Sequence, residues 1–578
     1  MNPRGRPTRL SLFQESIWFF RLLDPAMGSF NVGRAWVLNG AIDPTALQQA
    51  LELTAARHDI LRSQVVIDGG FSCMAPVLGR RLTCQITRVQ EDDLELARDR
   101  ALSFLQEEFT RQFDFKADPL VTVHLVLLSS DESILMIVKP HLITDDTSMS
   151  LFTMELARLY SAVRTGGDTS LPLAVQFATY AEWQRGYCYG PQVDEHLEYW
   201  RRQLTGASAL KRLRGRGAMN APMASPHAGA EALFSISRDV LEDLNEMRRR
   251  EGVTLYVVLL AAFAILLWLI CDQGDVVVGG LVANRVKPIT RSMIGPLVNT
   301  FALRFRFDDL ITFSDVLVAA RNLATSAYRY AELPFERIIE DLKAAQKLDS
   351  RFRLDAVFDY FATAPASPQF HGLEATPLRI YRKRAQAGLT LKVWPDAQGM
   401  AAFFEYQRAQ FGDDDIERLF VLYEAILRTL AKSPGVQLRS MTFPMSAAEG
   451  PLDSVDAPAP AAARIPCDMT ASSEMASTGT VAALERLQHY LTRIWVEVIG
   501  VNSIGLDDDF FRLGGHSLLA VQIVNHIWDE LGVEVQMDLL FTDAVTVRAL
   551  SQYVLAAPGG NKLFSSAAPC EPRLEGRR

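Results

Sequence analysis

Along the first 170 residues, stretches with the apolar spacing of an α-helix alternate with stretches that have the pattern of a β-strand. Leu12, Ser16 and Phe19 share one helical face, and the β-rich pattern at 32–38 is typical of a strand. Asp43 precedes the next apolar pattern, which predicts a helix N-cap. These patterns predict helices at 10–20, 43–56, 94–113 and 146–164, strands at 32–38 and 63–67, and a hairpin over 120–138. The region up to about Leu171 is therefore expected to form a two-layer α/β unit.

The second half of the chain repeats this mixture of helices and strands. A helical pattern begins at Phe177 and continues to about Leu204. Further patterns predict helices at 239–251, 254–271, 313–331 and 414–432, with strands near Val276, Phe301 and Ala356. Two α/β units in succession are therefore predicted.

The apolar stretch 253–271 is nineteen residues long, which is enough to span a bilayer. It is followed at once by the polar residues 272–275 and by a short buried-strand pattern at 276–280. A helix that leads into such a strand is common in α/β cores. We therefore expect a buried core helix here and no membrane span.

Size, charge and cysteine content narrow the class of protein. A chain of 578 residues predicts two or three domains. The net charge of −9, without a dominant basic stripe, argues against a nucleic-acid partner. The six cysteines are scattered without a Cys-x-x-Cys pair, which predicts neither a disulfide framework nor a zinc site. The basic N-terminus lacks an apolar signal core, so a cytoplasmic location is expected.

A candidate catalytic group lies in the stretch 140–146, just past the strand pattern that ends at Val138. His141 and Asp145 are four residues apart there, where a rigid sheet can present reactive groups. The residues themselves predict a general base, His141, with Asp145 fixing the surrounding loop. A structural histidine is the alternative, because one His with one Asp is a weak pattern.

Six segments, in order over about residues 8–445, resemble the core motifs of nonribosomal peptide synthetase condensation domains. The stretch 140–146 lies where that family carries His-His-x-x-x-Asp-Gly. The other five are Leu10-Ser11-Leu12-Phe13-Gln14 with Trp18, Arg57-His58-Asp59-Ile60-Leu61-Arg62, Tyr180-Ala181-Glu182-Trp183, Ile294-Gly295-Pro296-Leu297-Val298-Asn299-Thr300 and Leu333-Pro334-Phe335-Glu336. The resemblance implies an α/β fold of two chloramphenicol-acetyltransferase-like lobes, 8–180 and 181–445. These lobes would form a V, with a tunnel that admits a donor carrier and an acceptor from opposite faces.

A second resemblance lies beyond the Ala-, Pro- and Ser-rich stretch 446–479, which is expected to be a semi-flexible linker. Residues 507–519 read Asp-Asp-Asp-Phe-Phe-Arg-Leu-Gly-Gly-His-Ser-Leu-Leu, which closely resembles the peptidyl-carrier-protein signature. The resemblance implies a four-helix all-α carrier domain at 480–556, with 4′-phosphopantetheine attached covalently to Ser517. His516 belongs to the signature and is expected to be structural. A phosphodiester on Ser517 would lie at the positive end of a following helix; an ordinary N-cap serine is the alternative. The tail 557–578 is expected to be disordered.

The resemblance also implies roles for several residues of the first region. His141 matches the family histidine that acts as a general base or positions the nucleophile. Asp145 matches an aspartate that supports the site by pairing with an arginine; Arg62 is the first candidate partner and Arg285 the second. Asn299 and Trp183 are expected to line the tunnel or the contact between lobes, with core packing or backbone hydrogen bonding as the alternative.

Two positions depart from the family motif. Pro140 replaces the first histidine, and Asp146 replaces the glycine. Proline fixes φ and removes a donor just before His141, and Asp146 adds a carboxylate. Asp146 is expected either to reshape the acceptor channel or bind a cationic acceptor, or to mark a domain that no longer condenses.

Two classes of function follow. In the first, the chain is an acyltransferase that joins a donor acyl thioester from an upstream acyl- or peptidyl-carrier to an amine or hydroxyl held on Ser517. In the second, it is an inactive platform that recruits a partner enzyme to the substrate on the carrier. A third arrangement uses the attached carrier as donor to a soluble acceptor. No adenylation motif is present, so loading by a separate adenylation enzyme is expected, after modification by a phosphopantetheinyl transferase.

Overall fold

A computed structural model describes residues 6–23, 31–89, 91, 93–211, 213, 215, 228–349, 352–363, 366–440, 478–499, 501–510, 513, 517–531, 533, 535 and 546–557. They fall into two compact units, one holding nearly all of the described residues up to 440 and one holding those from 478 onward. The predicted linker and tail lie almost entirely outside the described residues, as do Gly514, Gly515 and His516.

The first unit alternates helices and strands along its whole length. Its helices are α1 (Leu12–Leu23), α2 (Pro44–Arg57), α3 (Leu94–Phe109), α4 (Asp146–Thr165), α5 (Phe177–Cys188), α6 (Asp194–Leu204), α7 (Arg238–Glu251), α8 (Leu255–Cys271), α9 (Phe313–Tyr330), α10 (Phe335–Ala344) and α11 (Asp413–Lys432). Its strands are β1 (Thr8–Arg9), β2 (Asn31–Asn39), β3 (Ser63–Asp68), β4 (Phe71–Pro76), β5 (Cys84–Arg88), β6 (Thr122–Leu127), β7 (Glu132–Pro140), β8 (Gly229–Ser237), β9 (Asp275–Val282), β10 (Asn299–Arg306), β11 (Ala356–Tyr360), β12 (Glu374–Leu378), β13 (Leu389–Pro395) and β14 (Gly399–Gln407).

Two larger sheets organise this unit. The first has the order β12-β2-β7-β6-β5, and the second has the order β10-β9-β11-β13-β14-β8. A small third sheet has the order β1-β4-β3. In the first sheet, β7 is central and antiparallel to β2, with Asn31 opposite Pro140. Every residue of β7 after Glu132 is buried, so the strand that leads to His141 is held on both faces.

Strand β12 belongs to the first sheet although it lies within the range expected to form the second lobe. It runs antiparallel to β2, with Pro377 opposite Trp36. Its edge position explains how a proline is accommodated, because an edge strand leaves one row of backbone groups unpaired. The chain after Leu378 therefore continues toward Asn31, the first residue of β2, which lies opposite Pro140, before it returns to the second sheet.

The main predictions for secondary structure are confirmed. Asp43 caps α2 and accepts hydrogen bonds from the N–H groups of Thr45 and Ala46. The hairpin is formed by β6 and β7, which pair antiparallel. Gly166, with φ of 65°, ends α4 in the left-handed conformation that favours glycine.

Two predictions about elements are wrong in detail, and several elements were missed. The helical run from Phe177 is broken at 189–193 into α5 and α6, because Gly190-Pro191 cannot continue an α-helix. Helix α3 ends at Phe109, four residues before the predicted end. Strands β1, β4, β5, β8, β12, β13 and β14 and helix α10 were not predicted.

Helix α8 is the apolar stretch that raised the question of a membrane span. Twelve of its residues are buried by the surrounding elements, and it contacts β9, β11 and three neighbouring helices. Within the described part of the chain no single helix is long and apolar enough to cross a bilayer. Together, α7 and α8 pass that test by length and composition, with a bend of 105° between them.

The second unit is helical. Its described helices are α12 (Thr478–Ile499), α13 (Ser517–Leu531) and α14 (Val547–Ala556). Leu487, Leu491, Ile494 and Trp495 of α12 are buried, as their helical spacing predicts. Helix α12 contacts both α13 and α14. The three described helices neither confirm nor contradict the expected count of four.

Candidate active site

His141 follows the last residue of β7 directly. The carbonyl of Pro140 accepts a hydrogen bond from the N–H of Ile143 at 3.0 Å, which closes a tight turn. The turn leads through Thr144 to Asp145, the N-cap of α4. His141 therefore lies between a fully paired central strand and the first turn of a helix, and both of its anchors are rigid.

One hydrogen bond sets the tautomer of His141. Its Nδ1 lies 2.7 Å from the carbonyl oxygen of Thr144. A carbonyl oxygen only accepts, so Nδ1 carries the proton and Nε2 of the neutral ring presents a lone pair. Among the described residues, no group forms a hydrogen bond with Nε2. This arrangement leaves Nε2 able to accept a proton from a bound substrate.

The surroundings keep this imidazole neutral. Burial lowers the pKa of His141 below its ordinary value of 6.5, although the charges of Asp145 and Asp146 oppose the shift. The ring of Phe13 packs edge-on at 5.0 Å between centroids and covers one side of the imidazole with apolar surface. Near pH 7 the ring is therefore in the form that a general base requires.

Asp145 is surrounded by donors from three segments. Its Oδ1 accepts from the N–H of Ser148 at 2.6 Å, which caps α4. Its Oδ2 accepts from the N–H groups of Leu297 and Val298 at 2.9 and 3.1 Å. The side chain is only 3% exposed. Because these donors occupy the lone pairs of the carboxylate, Asp145 stabilises the local structure and has no lone pair directed at a substrate.

Arg285 supplies the ion pair to Asp145. Its Nη2 lies 3.1 Å from Oδ1, and both side chains are buried. Nη1 donates to the carbonyls of Thr290 and Met293 at 2.8 and 2.6 Å. The second candidate is therefore the partner, and the first candidate, Arg62, is wrong. Arg62 pairs with Asp59 at 2.8 Å, three residues away in its own 3₁₀ turn.

Ser148 and Gly295 join the start of α4 to the same distant segment. The Ser148 hydroxyl donates to the carbonyl of Gly295 at 2.6 Å and accepts from its N–H at 3.0 Å. It also accepts from Nη2 of Arg285 at 2.6 Å. Gly295 has φ of +156°, and a Cβ there would lie 2.1 Å from the ring of Phe177. Only glycine satisfies both requirements.

Comparison with known proteins identifies this arrangement. The family model described as Condensation domain matches residues 7–450, which is more than half of the chain. The chain belongs to the condensation-domain family. The model described as Phosphopantetheine attachment site matches residues 489–554. The protein is thus a condensation domain followed by a phosphopantetheine carrier domain, of the kind found in nonribosomal peptide synthetases that make natural products.

Curated relatives are long synthetases. One of the proteins that form the linear gramicidin synthase of Brevibacillus parabrevis is 28% identical over 447 residues, which cover 76% of this chain. Malpinin synthetase of Mortierella alpina is 30% identical over 419 residues, which cover 72% of this chain. The chain spans only 6% and 5% of the lengths of these two proteins.

Solved structures share the fold. The first condensation domain of the CDA synthetase superposes with a TM-score of 0.64 at 19% identity, covering 75% of this chain and 98% of that one. The X-domain in a complex with OxyB from teicoplanin biosynthesis superposes with a TM-score of 0.66 at 22% identity, covering 76% and 97%.

Sequence analysis missed Gln14 as a support of the loop that carries His141. The Nε2 of Gln14 donates to the carbonyl of Leu142 at 2.8 Å, next to His141. Its Oε1 accepts from the N–H of Ser11. In the sequence, Gln14 is only one residue of the opening motif. Because the bond crosses 128 positions of sequence, no local pattern reveals it.

Asn299 and Trp183, which were both expected to line the tunnel or the contact between lobes, contact different groups. The amide of Asn299 is buried, donates to the carbonyls of Ala331 and Leu333 at 2.7 and 2.8 Å, and accepts from the N–H of Phe335 at 3.2 Å. It therefore makes backbone hydrogen bonds, the alternative to the tunnel-lining expectation. The ring of Trp183, on α5, lies 3.5 Å from Nζ of Lys287 in a cation–π contact.

Asp146 is the first residue of α4 and lies close to His141. Its side chain is 49% exposed and lies 3.9 Å from Nη2 of Arg34. Burial would raise its pKa, but the charges of Arg382, Lys392 and Arg34 outweigh that effect and lower the pKa of Asp146. The carboxylate is therefore ionised at neutral pH beside the candidate base.

Proposed function

We propose that the condensation domain transfers an acyl group from the thioester of an upstream carrier protein to an amine held on the chain's own carrier domain. His141 acts as the general base. The proposal is carried by the Nδ1–H to Thr144 hydrogen bond, which leaves Nε2 as the free acceptor of a neutral ring. A hydroxyl acceptor would give an ester by the same route. The family's V-shaped pair of lobes and its tunnel are part of this proposal.

The proton balance follows from the neutral imidazole. As the acceptor nitrogen attacks the thioester carbonyl carbon, Nε2 of His141 accepts one N–H proton. The C–S bond then breaks, an amide forms, and the imidazolium returns the proton to the departing thiolate. The ring ends neutral, and no external acid or base is consumed.

Asp145 contributes by position. Its bonds to Ser148, Leu297 and Val298 fix the end of the loop that carries His141, and Arg285 compensates its charge. Gln14 fixes the middle of the loop through Leu142. A base held within a few tenths of an ångström is what proximity-based catalysis requires.

We further propose that Ser517 carries 4′-phosphopantetheine. Ser517 is the first residue of α13, a helix of fifteen residues, so a phosphodiester on it would lie at the positive end of the helix dipole. When bound, the group supplies the thiol that holds the acceptor as a thioester. A phosphopantetheinyl transferase would attach it, and an adenylation activity outside residues 1–578 would load it.

A second candidate function is a platform that recruits a partner enzyme to the substrate on Ser517. Two observations favour it. Pro140 and Asp146 depart from the family motif, and the fold is shared with an X-domain that was solved in complex with OxyB. In this case His141 would be dispensable for product formation.

Intact-protein mass spectrometry of the full chain distinguishes these candidates. The chain is phosphopantetheinylated, loaded with an aminoacyl group and mixed with acyl-carrier donors. We expect a mass gain equal to the donor acyl group. Ser517→Ala should not be modified at all. His141→Ala should load normally and react about a hundredfold more slowly or worse.

The matched control is His371→Ala, which removes an exposed histidine outside the site and should react as the unaltered chain does. An equal rate in His141→Ala would overturn the role of general base. A loaded chain that gains no acyl group from any donor would support the recruitment platform instead.

A further inference from the structure

The carboxylate of Asp146 is half exposed and only loosely paired. Nη1 of Arg34 is engaged with the hydroxyl of Ser150 at 2.8 Å, and its Nη2 donates to the backbone carbonyl of Asp146 at 3.3 Å. The nearest approach of Arg34 to the carboxylate itself is 3.9 Å. Among the described residues, none donates a hydrogen bond to that carboxylate. The ionised carboxylate of Asp146, at the start of α4, can therefore still accept hydrogen bonds from a ligand.

The other cations near Asp146 have a buried partner of their own. Glu405, on β14, is 4% exposed and lies 3.8 Å from Nη1 of Arg382 and 3.7 Å from Nζ of Lys392. Lys392 on β13 is also the cross-strand neighbour of Asp359 on β11. These acids offset part of the positive charge near Asp146. The most exposed charge of the cluster is thus the carboxylate.

Hydrogen bonding among the charged side chains near Asp146, which include Arg382, Lys392 and Glu405, is incomplete. Oε2 of Glu405 is buried and has no hydrogen-bond partner, although Arg382 and Lys392 lie just beyond hydrogen-bond distance of the carboxylate. A buried carboxylate oxygen without a donor is unfavourable. The charges of three acids, Glu405, Asp146 and Glu231, act on Arg382.

We propose that Asp146 binds a second, non-reacting ammonium group of the acceptor, so that the acceptor class is a diamino acid or other diamine. This inference rests on the proposed condensation. Asp146 follows Asp145 directly, at the start of α4, and the His141 ring is bonded to Thr144 in the turn that leads to that helix; the charge of each group also acts on the other. An acceptor with two amines a few bonds apart can therefore place one on Asp146 and the other, neutral, at Nε2 of His141. No covalent step is added.

The test compares acceptors that differ only in that ammonium. The full chain is loaded on its carrier with ornithine, with norleucine, which has a methyl group in place of the terminal ammonium, or with glutamate. We expect ornithine to react about tenfold faster than norleucine, because a partly buried charge-assisted hydrogen bond discriminates by at least that factor. In Asp146→Asn the ratio should fall to about one. In Asp168→Asn, which alters an exposed aspartate beyond the end of α4, the ratio should be unchanged.

A binding measurement provides the second readout. Soluble N-acetylcysteamine thioesters of ornithine and norleucine are titrated calorimetrically into His141→Ala, where turnover is blocked. The proposal is supported if the ornithine thioester binds to His141→Ala more tightly than the norleucine thioester does. This difference should disappear in the double variant that also carries Asp146→Asn. Equal binding and equal rates for the two acceptors would overturn it, and a preference for glutamate would reassign the specificity to Arg382 and Lys392. Absence of product with every acceptor would instead count against the proposed condensation.

Discussion

Nη2 of Arg285 lies 3.1 Å from Oδ1 of Asp145, although the two residues are 140 positions apart. The pair joins the N-cap of α4 to the segment that precedes β10. Its members are 7% and 3% exposed, so their charges are removed from water and depend on each other. The loop that carries His141 is thereby fixed at its far end by a segment of the second α/β region.

Removal of Arg285 should destabilise the condensation domain strongly. Arg285→Ala leaves the Asp145 carboxylate buried without its counter-ion, and we expect a loss of about 3–5 kcal/mol. Arg62→Ala is the matched control, because its pair with Asp59 is partly exposed and contributes only about 0.2–1 kcal/mol. Urea unfolding followed by tryptophan fluorescence measures both. Equal losses in the two variants would contradict the assignment of Arg285 as the partner.

The rate of condensation should decline on the acid side with a midpoint below pH 6.5. Burial lowers the pKa of His141 from 6.5, so the neutral base persists to lower pH than a free imidazole would. The charge of Asp146 raises the pKa of His141. Asp146→Asn should therefore move the midpoint to still lower pH, when both proteins are assayed with one acceptor. A midpoint that stays fixed would show that the two groups do not interact, and one that moves upward would contradict the predicted direction of the shift.

Lys139 should make the stability of the condensation domain depend on pH. It is fully buried, its Nζ has no hydrogen-bond partner, and burial lowers the pKa of its ammonium from 10.5 to about 7. Between about pH 7 and 10.5 the unfolded chain binds a proton that the folded one does not. This group therefore makes stability rise with pH in that window, by on the order of 5 kcal/mol.

Lys139→Met tests this contribution. The substitution keeps a long side chain against the ring of Phe152, which lies 4.1 Å from Nζ. We expect the variant to be more stable than the unaltered chain at pH 7 and to show a smaller rise toward pH 10. Chemical unfolding across this range gives the difference. Parallel curves for the two proteins would mean that Lys139 stays charged when folded.

Asn299 should contribute to the stability of the condensation domain. Asn299→Ala removes the bonds to Ala331, Leu333 and Phe335 and leaves three buried backbone groups unpaired. We expect a loss of about 2–3 kcal/mol. Asn322→Ala, on the exposed face of α9, should change stability by less than about 0.5 kcal/mol. A thermal-shift comparison of the two variants suffices, and similar melting temperatures would contradict the prediction.

The local sequence pattern was sufficient to predict a helix or strand where that element has its own periodicity. The helix predicted at 146–164 and the cap that Asp43 forms on α2 are confirmed, as are the two strands of the hairpin before His141. Strand β14 was missed because eight residues, Gly399 to Tyr406, are almost continuously buried, and such a run lacks the alternation of a half-exposed strand. Strand β12 was missed because its sequence, Glu-Ala-Thr-Pro-Leu, is polar and contains a proline.

The sequence by itself determined the family, the order of the two domains and the position of His141 at the end of a strand, because motifs and periodicity are local. Tertiary structure decided which arginine pairs with Asp145, that Gln14 supports the loop that carries His141, and that the chain after β12 brings Arg382 to the neighbourhood of Asp146. Those contacts join residues more than a hundred positions apart, and in one sequence nothing couples such positions until the chain packs. The tautomer of His141 is also decided by the folded structure, because the carbonyl of Thr144 reaches Nδ1 only in the folded turn.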